Sequence, residues 1–589
     1  MRLARLLPLA FAASVVLVTT GLSSPAAASS ETATVSASAS VIVFGDAVEL
    51  AAAVTGDPSC LGPRDAQLEW QPSESQTWTG IASGTTASDG SVVFSDSPQY
   101  TGQYRVSLPA SGACAPVVSP PASVRVRVLV QSAPVASSLI PGSCVDLDLT
   151  VGPNKSGQTV DVQERSASGW TTVETLTLDA DSAAGARPCF GWEDIGHVRL
   201  RARWPAQDAL NETGTSIVLR FRVTKAPWMR QLDGVVSGYS VSVSVGDDGV
   251  FLYQHDETAP RTPASNVKLL LSMTLLDELS PDFTIPTYAA AESVRGHVIA
   301  ADLWILGRGD PAITQARMSH LAHRIAAAGI TKVRGRVMGS TAYFSRDWWA
   351  SGWRPEFRWE QIPLPSALTF EGNVAEGVHI TDPERRAAES LTRELELRGI
   401  SVAGRPGSGA PPGDLTTVAT IRSSPMAQIL PRMNRPSNNF YAEVLGKLLG
   451  AERTGPPGTI AKGAREIRRW VVNHGAEVTL FDNSGLSYAN RVTAQGIVRL
   501  LWVAEGSTWG EILRGSLPTG GQGTLEDRLQ GLRVRAKTGS LTDISALSGW
   551  VWLERERTWA EFSILSSGMS KWTASAIEDR IVGILAESA

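Results

Sequence analysis

Apolar and polar residues alternate along short segments throughout the first third of the chain. Residues 33–40 and 68–71 both show this period of two, and clusters of Gly, Asp, Ser and Pro separate such segments. A period of two directs successive side chains to opposite faces of a β-strand, and the residues between the segments are typical of turns. The pattern therefore predicts a series of short strands between Thr32 and Val130.

The same layout occurs a second time in the next stretch of the chain. Two places correspond most clearly, namely residues 78–81 with 170–173 and residues 101–106 with 195–200. Each copy spans about 95 residues, which is the size of an immunoglobulin-like β-sandwich. Residues 29–130 and 131–224 resemble the bacterial immunoglobulin-like modules of cell-surface proteins. This resemblance implies a role in spacing or adhesion, and it leaves open a low-affinity contact with wall polymers.

Beyond Lys225 the spacing of apolar residues changes. Residues 241–245 and 250–253 predict two strands, which Gly246-Asp247-Asp248-Gly249 would join as a hairpin turn. From Pro263 to Leu279 apolar residues fall on nearly every helical face, which is typical of a helix buried on all sides. Proline is well suited to the first turn of such a helix.

The rest of the chain predicts an α+β region, in which a sheet carries helices on its faces beside an all-helical part. The predicted strands are 297–306, 534–537, 546–552 and 560–565. The predicted helices are 316–328, 385–398 and 573–587, with further helical material around 426–449 and 460–474.

Composition and the N-terminal segment indicate where the protein is located. Apolar content of 43% and 19% charged residues describe globular material, and a net charge of −5 gives no reason to expect nucleic acid or an anionic membrane surface as a partner. Residues 1–28 have the order of a secretory signal, with Arg2 and Arg5, an apolar core and Ala26-Ala27-Ala28. Because no later run of eighteen apolar residues follows, we expect an extracellular or periplasmic, wall-associated protein without a membrane span.

All four cysteines lie in the first third, at Cys60, Cys114, Cys144 and Cys189. An oxidising compartment favours disulfides, and four cysteines allow three pairings. Cys60–Cys114 with Cys144–Cys189 is the simplest pairing, because it places one bridge in each of two consecutive segments.

Candidate chemistry begins on the buried helix, where Ser265 and Lys268 lie one turn apart on the same face. A serine hydroxyl becomes an effective nucleophile when a base takes its proton, and a desolvated lysine can act as that base. A chain of this composition contains about one Ser-x-x-Lys by chance. The pair therefore needs companions before it indicates catalysis.

Two later motifs supply the companions: Ser437-Asn438-Asn439 in a loop between helical segments, and Lys537-Thr538-Gly539-Ser540 at the end of a strand. The three motifs, in this order, are those of serine β-lactamases and penicillin-binding proteins. Over about residues 230–589 the chain resembles the low-molecular-mass class C penicillin-binding proteins, which are D-alanyl-D-alanine carboxypeptidases and endopeptidases of peptidoglycan. Four surrounding segments share the resemblance: Leu306–Pro311, Met433–Glu443, Asp482–Ser487 and Leu517–Leu525.

The resemblance implies a penicillin-binding catalytic domain over residues 225–589, with an inserted subdomain at about 288–416. It implies peptidoglycan stem peptides and β-lactam antibiotics as ligands, and it implies no cofactor. His320 and His323 share a helix face, but they have no carboxylate or cysteine company, so we expect no metal site.

Acyl transfer needs a nucleophile, a base, a proton path, an oxyanion hole and an anchor for the substrate carboxylate. The motifs offer one residue or pair for each requirement. Ser265 is the candidate nucleophile, Lys268 is its base and Ser437 is the proton relay. Asn439 would fix Lys268 and the substrate amide, and Lys537 and Thr538 would anchor the carboxylate. The backbone N–H groups of Ser265 and Ser540 would form the oxyanion hole, and Gly539 would let the strand approach the substrate.

One position departs from the family pattern. The family usually has Gly where this chain has Asn483, and we expect the loop to survive because Asn tolerates a left-handed backbone.

Three other functions use parts of the same pattern. A secreted β-lactamase or an esterase would use the same motifs, although a class A β-lactamase needs a glutamate-held water for deacylation. A wall-binding scaffold with a decayed catalytic fold is the non-enzymatic alternative. Every motif position holds a chemically competent residue, which favours the carboxypeptidase or endopeptidase.

Overall fold

A computed structural model describes residues 31–134 and 138–588, so the predicted signal segment lies outside the described residues. The described chain forms two compact units. The first unit comprises residues 31–134, 146–187 and 199–220, and the second comprises residues 138–145, 188–198 and 221–588. The two units therefore alternate along the sequence, and the predicted domain boundaries at 130 and 224 stay predictions.

The first third of the chain is built of strands, as its alternating pattern predicts. These are β1 Thr32–Ala37, β2 Val41–Val43, β3 Val48–Thr55, β4 Asp65–Pro72, β5 Thr79–Thr85, β6 Ser91–Asp96, β7 Gly102–Leu108, β8 Val117–Val118, β9 Ala122–Arg127, β10 Leu129–Pro134, β11 Ser138–Leu139, β12 Leu147–Gly152, β13 Thr159–Ser166, β14 Gly169–Thr177, β15 Ala183–Ala186, β16 Gly196–Trp204, β17 Gly214–Thr215 and β18 Leu219–Val223.

Strand pairing repeats between the two copies seen in the sequence. β3 pairs with β1 and β6, and β12 pairs with β10 and β15 in the same way. β4 lies between β5 and β7, just as β13 lies between β14 and β16. β2 pairs in parallel with β9, and β11 pairs in parallel with β18. The internal repeat is thus a repeat of topology, while its immunoglobulin-like character stays a prediction.

Alternate burial explains the period of two in these strands. In β3, Val48, Leu50, Ala52 and Val54 face the core, and the residues between them are exposed or half-buried. Both expected disulfides are present in the structure. Cys60 is bonded to Cys114, with a Cα–Cα distance of 5.7 Å, and Cys144 is bonded to Cys189.

The second unit carries the remaining strands and all eleven helices of the described residues. The strands are β19 Val241–Asp247, β20 Val250–His255, β21 Pro286–Ala291, β22 Val294–Arg295, β23 Val298–Ile299, β24 Leu303–Gly307, β25 Lys332–Val333, β26 Val337–Ser340, β27 Val374–Ala375, β28 Val378–His379, β29 Ser401–Val402, β30 Gly407–Gly409, β31 Thr416–Arg422, β32 Val478–Thr479, β33 Arg491–Val492, β34 Val534–Leu541, β35 Ile544–Leu553 and β36 Thr558–Ser567. The helices are α1 Pro227–Val236, α2 Val267–Leu279, α3 Gln315–Ala327, α4 Phe357–Glu360, α5 Pro383–Glu396, α6 Met426–Asn434, α7 Asn439–Thr454, α8 Ile460–Asn473, α9 Ala494–Glu505, α10 Gly510–Ser516 and α11 Lys571–Ser588.

An antiparallel sheet of order β20-β19-β36-β35-β34 forms the centre of this unit. On β35, Ala546 and Trp550 face a core shared with α2 and helices α6 to α10. Leu547 and Val551 face the opposite core, which α1 and α11 cover. Because both faces are buried, the strand is mostly apolar instead of alternating, and its two serines, Ser545 and Ser548, are buried as well. β34, the strand of the Lys537 motif, lies at the edge.

Helix α2 is enclosed on all sides, as the apolar residues on every face predict. Every residue from Val267 to Leu276 is buried. The expected start at Pro263 is a short 3-10 turn, Ala264–Asn266, which leads into the α-helix at Val267.

The chain between β20 and α6 contains a separate small core where the insertion is expected. A five-stranded sheet of order β30-β26-β24-β21-β31 and a four-stranded sheet of order β22-β23-β25-β29 are present there, and α3 and α5 contribute to the same core. The predicted single strand 297–306 is wrong, because β23 and β24 belong to different sheets. Between them the Asp302 carboxylate accepts the Arg336 backbone N–H at 2.8 Å, at the point where the chain passes from one sheet to the other.

We expect Leu275→Ala, on buried α2, to destabilise the second unit by about 2–5 kcal/mol through lost burial and an unfilled cavity. Leu397→Ala is the matched control, because Leu397 is 79% exposed. Urea denaturation followed by tryptophan fluorescence measures both variants. Equal midpoints for the two variants would contradict the buried position of α2.

Candidate active site

Two close backbone contacts fix the turn that carries Ser265. A Cβ at Gly485 would lie 1.9 Å from the Ala264 carbonyl oxygen, and a Cβ at Gly539 would lie 2.8 Å from the Pro263 carbonyl oxygen. Gly485 also has a φ of 88°, which favours glycine for a second reason. The expectation that Gly539 lets the strand approach the substrate stays a prediction, and the structure adds a second role for this glycine. Its missing side chain lets β34 approach the serine turn.

Lys268 lies directly behind Ser265 and is fully buried. Its Nζ donates to Ser265 Oγ at 2.9 Å, to Asn439 Oδ1 at 2.7 Å and to the Ser484 carbonyl at 2.6 Å. Burial lowers the pKa of Lys268 from 10.5 to about 7, against the opposing influence of the Asp482 and Glu443 charges. This lysine can therefore lose a proton near neutral pH.

A second lysine–serine pair lies in the same region. Ser437, between α6 and α7, has a φ of 58°, and its Oγ accepts a hydrogen bond from Lys537 Nζ at 2.8 Å. Lys537 Nζ also donates to the Thr538 carbonyl at 2.8 Å. Burial, followed by the positive charges of Lys268 and Lys571, holds the pKa of Lys537 well below its usual value.

Two buried carboxylates, those of Glu443 and Asp482, fix the loop whose Ser484 carbonyl contacts Lys268. Glu443 accepts the backbone N–H groups of Asn483 at 2.9 Å and Ser484 at 2.8 Å, which orients the Ser484 carbonyl toward Lys268. Asp482 accepts the Trp353 indole N–H at 2.7 Å and four further donors of its own loop. Burial raises the pKa of Glu443, and the Asp482 charge adds to that rise. Both residues belong to segments that carried the family resemblance, although the sequence assigned them no role.

The expected left-handed backbone at Asn483 is wrong. Asn483 is not among the described residues with positive φ, and the left-handed residue of the loop is Gly485. The Asn483 side chain instead donates to Glu443 Oε2 at 2.7 Å. The Asn483 side chain occupies space that two helical glycines, Gly446 and Gly463, leave free. A Cβ at Gly446 would lie 2.1 Å from Asn483 Cγ, and a Cβ at Gly463 would lie 2.5 Å from Asn483 Oδ1.

A cavity of about 430 Å³ opens in front of Ser265. The motif residues on its wall are Ser265, Ser437, Asn439, Thr538 and Ser540. Lys268 and Lys537 lie behind this wall and do not line the cavity. Within the described chain, no Asp, Glu or His lines it.

Sequence reasoning missed several wall residues, which are Phe357, Gln361, Leu486, Tyr488, Thr524, Arg528, Leu541, Thr542, Lys571 and Ser575. Thr524 hydrogen-bonds Thr538 through their hydroxyls at 2.7 Å, and Gln361 accepts the Asn439 side-chain N–H at 3.3 Å through its carbonyl. Their local sequence carries no catalytic pattern. The segment Leu517–Leu525, quoted for the family resemblance, was the one available indication for Thr524.

Comparison with known proteins finds sequence relatives over the second unit of the chain. A model of the D-Ala-D-Ala carboxypeptidase 3 (S13) family matches residues 229–376 and 364–588. The D-alanyl-D-alanine carboxypeptidase of Actinomadura sp. (strain R39) is 29% identical over 451 residues, covering 61% of this chain and 82% of that protein. Carboxypeptidase DacB of Mycolicibacterium smegmatis is 29% identical over 377 residues, covering 59% of this chain and 79% of that protein.

One solved structure supports the fold. The crystal structure of penicillin binding protein 4 (dacB) from Haemophilus influenzae superposes with a TM-score of 0.53 at 17% identity. The match covers 61% of this chain and 99% of that chain. At this identity the likeness concerns the fold alone.

We expect Gly446→Ala to destabilise the protein by about 1–3 kcal/mol, because the new Cβ would overlap the Asn483 side chain. In an Asn483→Gly background the same substitution should cost much less, since Ala is favoured over Gly inside a helix by roughly 0.5–1 kcal/mol. Denaturation midpoints of the four proteins in this cycle measure the coupling. Equal destabilisation by Gly446→Ala in both backgrounds would contradict the packing described.

Proposed function

The chain belongs to the D-Ala-D-Ala carboxypeptidase 3 (S13) family, and from that premise we propose that Ser265 forms the acyl-enzyme of this serine-type D-Ala-D-Ala carboxypeptidase or endopeptidase. The enzyme is a low-molecular-mass class C penicillin-binding protein that acts on peptidoglycan stem peptides or cross-links. One observation carries the assignment of roles: the fully buried Lys268 ammonium contacts both Ser265 and Asn439 beside a large open cavity.

Acylation begins when the neutral Lys268 amine takes the Ser265 proton. The Ser265 oxygen then attacks the carbonyl carbon between the two D-alanines, and the backbone N–H groups of Ser265 and Ser540 stabilise the oxyanion. Ser437 passes a proton to the departing D-alanine nitrogen. Lys537 Nζ, at 2.8 Å from Ser437 Oγ, then returns a proton to the Ser437 hydroxyl. Water subsequently hydrolyses the ester and frees Ser265.

The composition of the cavity wall argues against a β-lactamase. Rapid deacylation of a β-lactam adduct in class A enzymes uses a water held by a glutamate, and no carboxylate lines this cavity in the part of the chain that the structure describes. Glu443 is fully buried and engaged with Asn483 and Ser484. A long-lived acyl-enzyme with β-lactams is therefore the expected behaviour. The assembled motif geometry also argues against a decayed scaffold.

Export and contact with wall polymers form the outer part of the proposal. The two disulfides suit an oxidising compartment, and the wall substrate lies outside the cell membrane. Among residues 31–134 and 138–588, no helix has the length and apolar character needed to cross a membrane. The all-β first third is the proposed surface for wall polymers.

Ser265→Ala is expected to abolish the covalent β-lactam adduct, because Ser265 is the hydroxyl that Lys268 contacts. Intact-mass measurement after incubation with benzylpenicillin detects the adduct, and a time course after removal of free drug gives its lifetime. Ser424→Ala, in the loop before α6, is the control and should form the adduct normally. An unchanged adduct on Ser265→Ala would exclude this nucleophile, and rapid loss of the wild-type adduct would favour the β-lactamase.

The acylation rate should rise with pH around a midpoint of about 7, because only the neutral form of Lys268 accepts a proton. Below that pH the ammonium predominates and the rate falls. Glu443→Gln should move the midpoint to lower pH, since the Glu443 charge raises the pKa of Lys268. Stopped-flow acylation by a chromogenic cephalosporin measures both profiles, with the exposed Glu554→Gln as control. A midpoint that moves upward in Glu443→Gln would contradict the proposed electrostatics.

A further inference from the structure

The cavity in front of Ser265 has a second wall that the three motifs do not include. Lys571 and Ser575 of α11 line this wall, together with Arg528. Thr538 and Ser540 of the edge strand β34 line the same cavity. A substrate that ends in D-alanine brings a carboxylate one residue beyond the carbonyl that Ser265 attacks. Three cationic side chains lie close enough to be considered as partners of that carboxylate, namely Lys537, Arg528 and Lys571.

Lys537, the expected anchor, is poorly placed for this role. Its side chain is 0% exposed and does not line the cavity. Its ammonium already donates to Ser437 Oγ and to the Thr538 carbonyl. Lys537 is therefore suited to holding the Ser437 hydroxyl.

Arg528 reaches the cavity, but its charge is already compensated. Its Nη2 donates to Glu578 Oε2 at 2.7 Å and to Asp579 Oδ1 at 2.7 Å, and its Nε donates to Asp579 at 3.0 Å. Two carboxylates thus face one guanidinium. A third carboxylate would find little net positive charge there.

Lys571 differs from both. Its Nζ donates to Ser545 Oγ at 2.5 Å and approaches the Gly539 carbonyl at 3.4 Å. Ser545 in turn donates to Glu578 at 2.6 Å, so the hydroxyl separates the ammonium from that carboxylate. Over the described ranges 31–134 and 138–588, no carboxylate makes a salt bridge with Lys571. A lysine ammonium has three donors, so one remains for a ligand.

We propose that Lys571 binds the terminal carboxylate of the substrate and the ring carboxylate of β-lactams, with the Ser540 hydroxyl as a further donor. This inference rests on the proposed function of Ser265. β34 is an edge strand. Pro518 and Thr519 bond to its outer side at Ala536 and Val534, so an extended peptide can lie along the second half of the strand. The carboxylate then points past Ser540 toward the first turn of α11. Lys571 is in this way a specificity-determining residue outside the three motifs.

The test compares two acylating agents that differ in one charge, benzylpenicillin and benzylpenicillin methyl ester. Second-order rate constants for acylation of the full chain are measured by intact mass. Lys571→Gln should lower the rate with benzylpenicillin about 10- to 100-fold, the size expected for one charge-assisted hydrogen bond. The rate with the methyl ester should change by less than about threefold, since it has no carboxylate. Lys571→Arg, which keeps the charge, should retain most of the rate with benzylpenicillin.

Lys332→Gln, at an exposed lysine of β25, is the matched control and should leave both rates unchanged. Equal losses with both agents would overturn the inference and make Lys571 a structural residue. Unchanged rates in Lys571→Gln would overturn it as well. A wild-type chain that neither agent acylates at Ser265 would overturn the proposed nucleophile itself, which is a different result from any change in the ratio of the two rates.

Discussion

This active site depends on one constraint. The Lys268 amine has to be fully buried, so that its lone pair is available near neutral pH. Lys268 has no exposed surface, and three oxygen atoms surround its Nζ. The fall of its pKa from 10.5 to about 7 corresponds to roughly 5 kcal/mol between its two protonation states. The surrounding packing has to supply that energy. A lysine nearer to water would keep its proton and could not activate Ser265.

Several features of the second unit follow from this requirement. Burial of Lys268 demands that α2 be enclosed on all sides, which explains its apolar sequence. The oxygen ligands come from distant parts of the chain, because the Ser484 carbonyl and Asn439 belong to separate loops and helices. Glu443 fixes the Ser484 peptide, and Gly485 lets that loop touch the serine turn. Helix α2 and the loop at Ser484 and Gly485 therefore both serve to hold the Lys268 amine in place.

Two lysine–serine pairs share the site without sharing a role. In the proposed mechanism the Lys268–Ser265 pair acts on the scissile bond, and the Lys537–Ser437 pair acts on the departing group. The Lys268 charge helps to lower the pKa of Lys537, since like charges at short range disfavour the doubly charged state. The site therefore works with fewer protons than its lysines would carry in water. Lys571 differs from these two lysines in lining the cavity, whereas Lys268 and Lys537 are buried behind its wall.

The sequence by itself determined the three motifs, the α+β class, the all-β first third and the internal repeat. These properties depend on residue order and on periods of 2 and 3.6, which local chemistry sets. Only the tertiary structure decided where the chain turns between sheets, as at Asp302, and how Asn483 replaces glycine without a left-handed backbone. It also decided that Lys537 lies behind the cavity wall while Lys571 lines it. Burial and packing distances arise from segments far apart along the chain, so no local pattern encodes them.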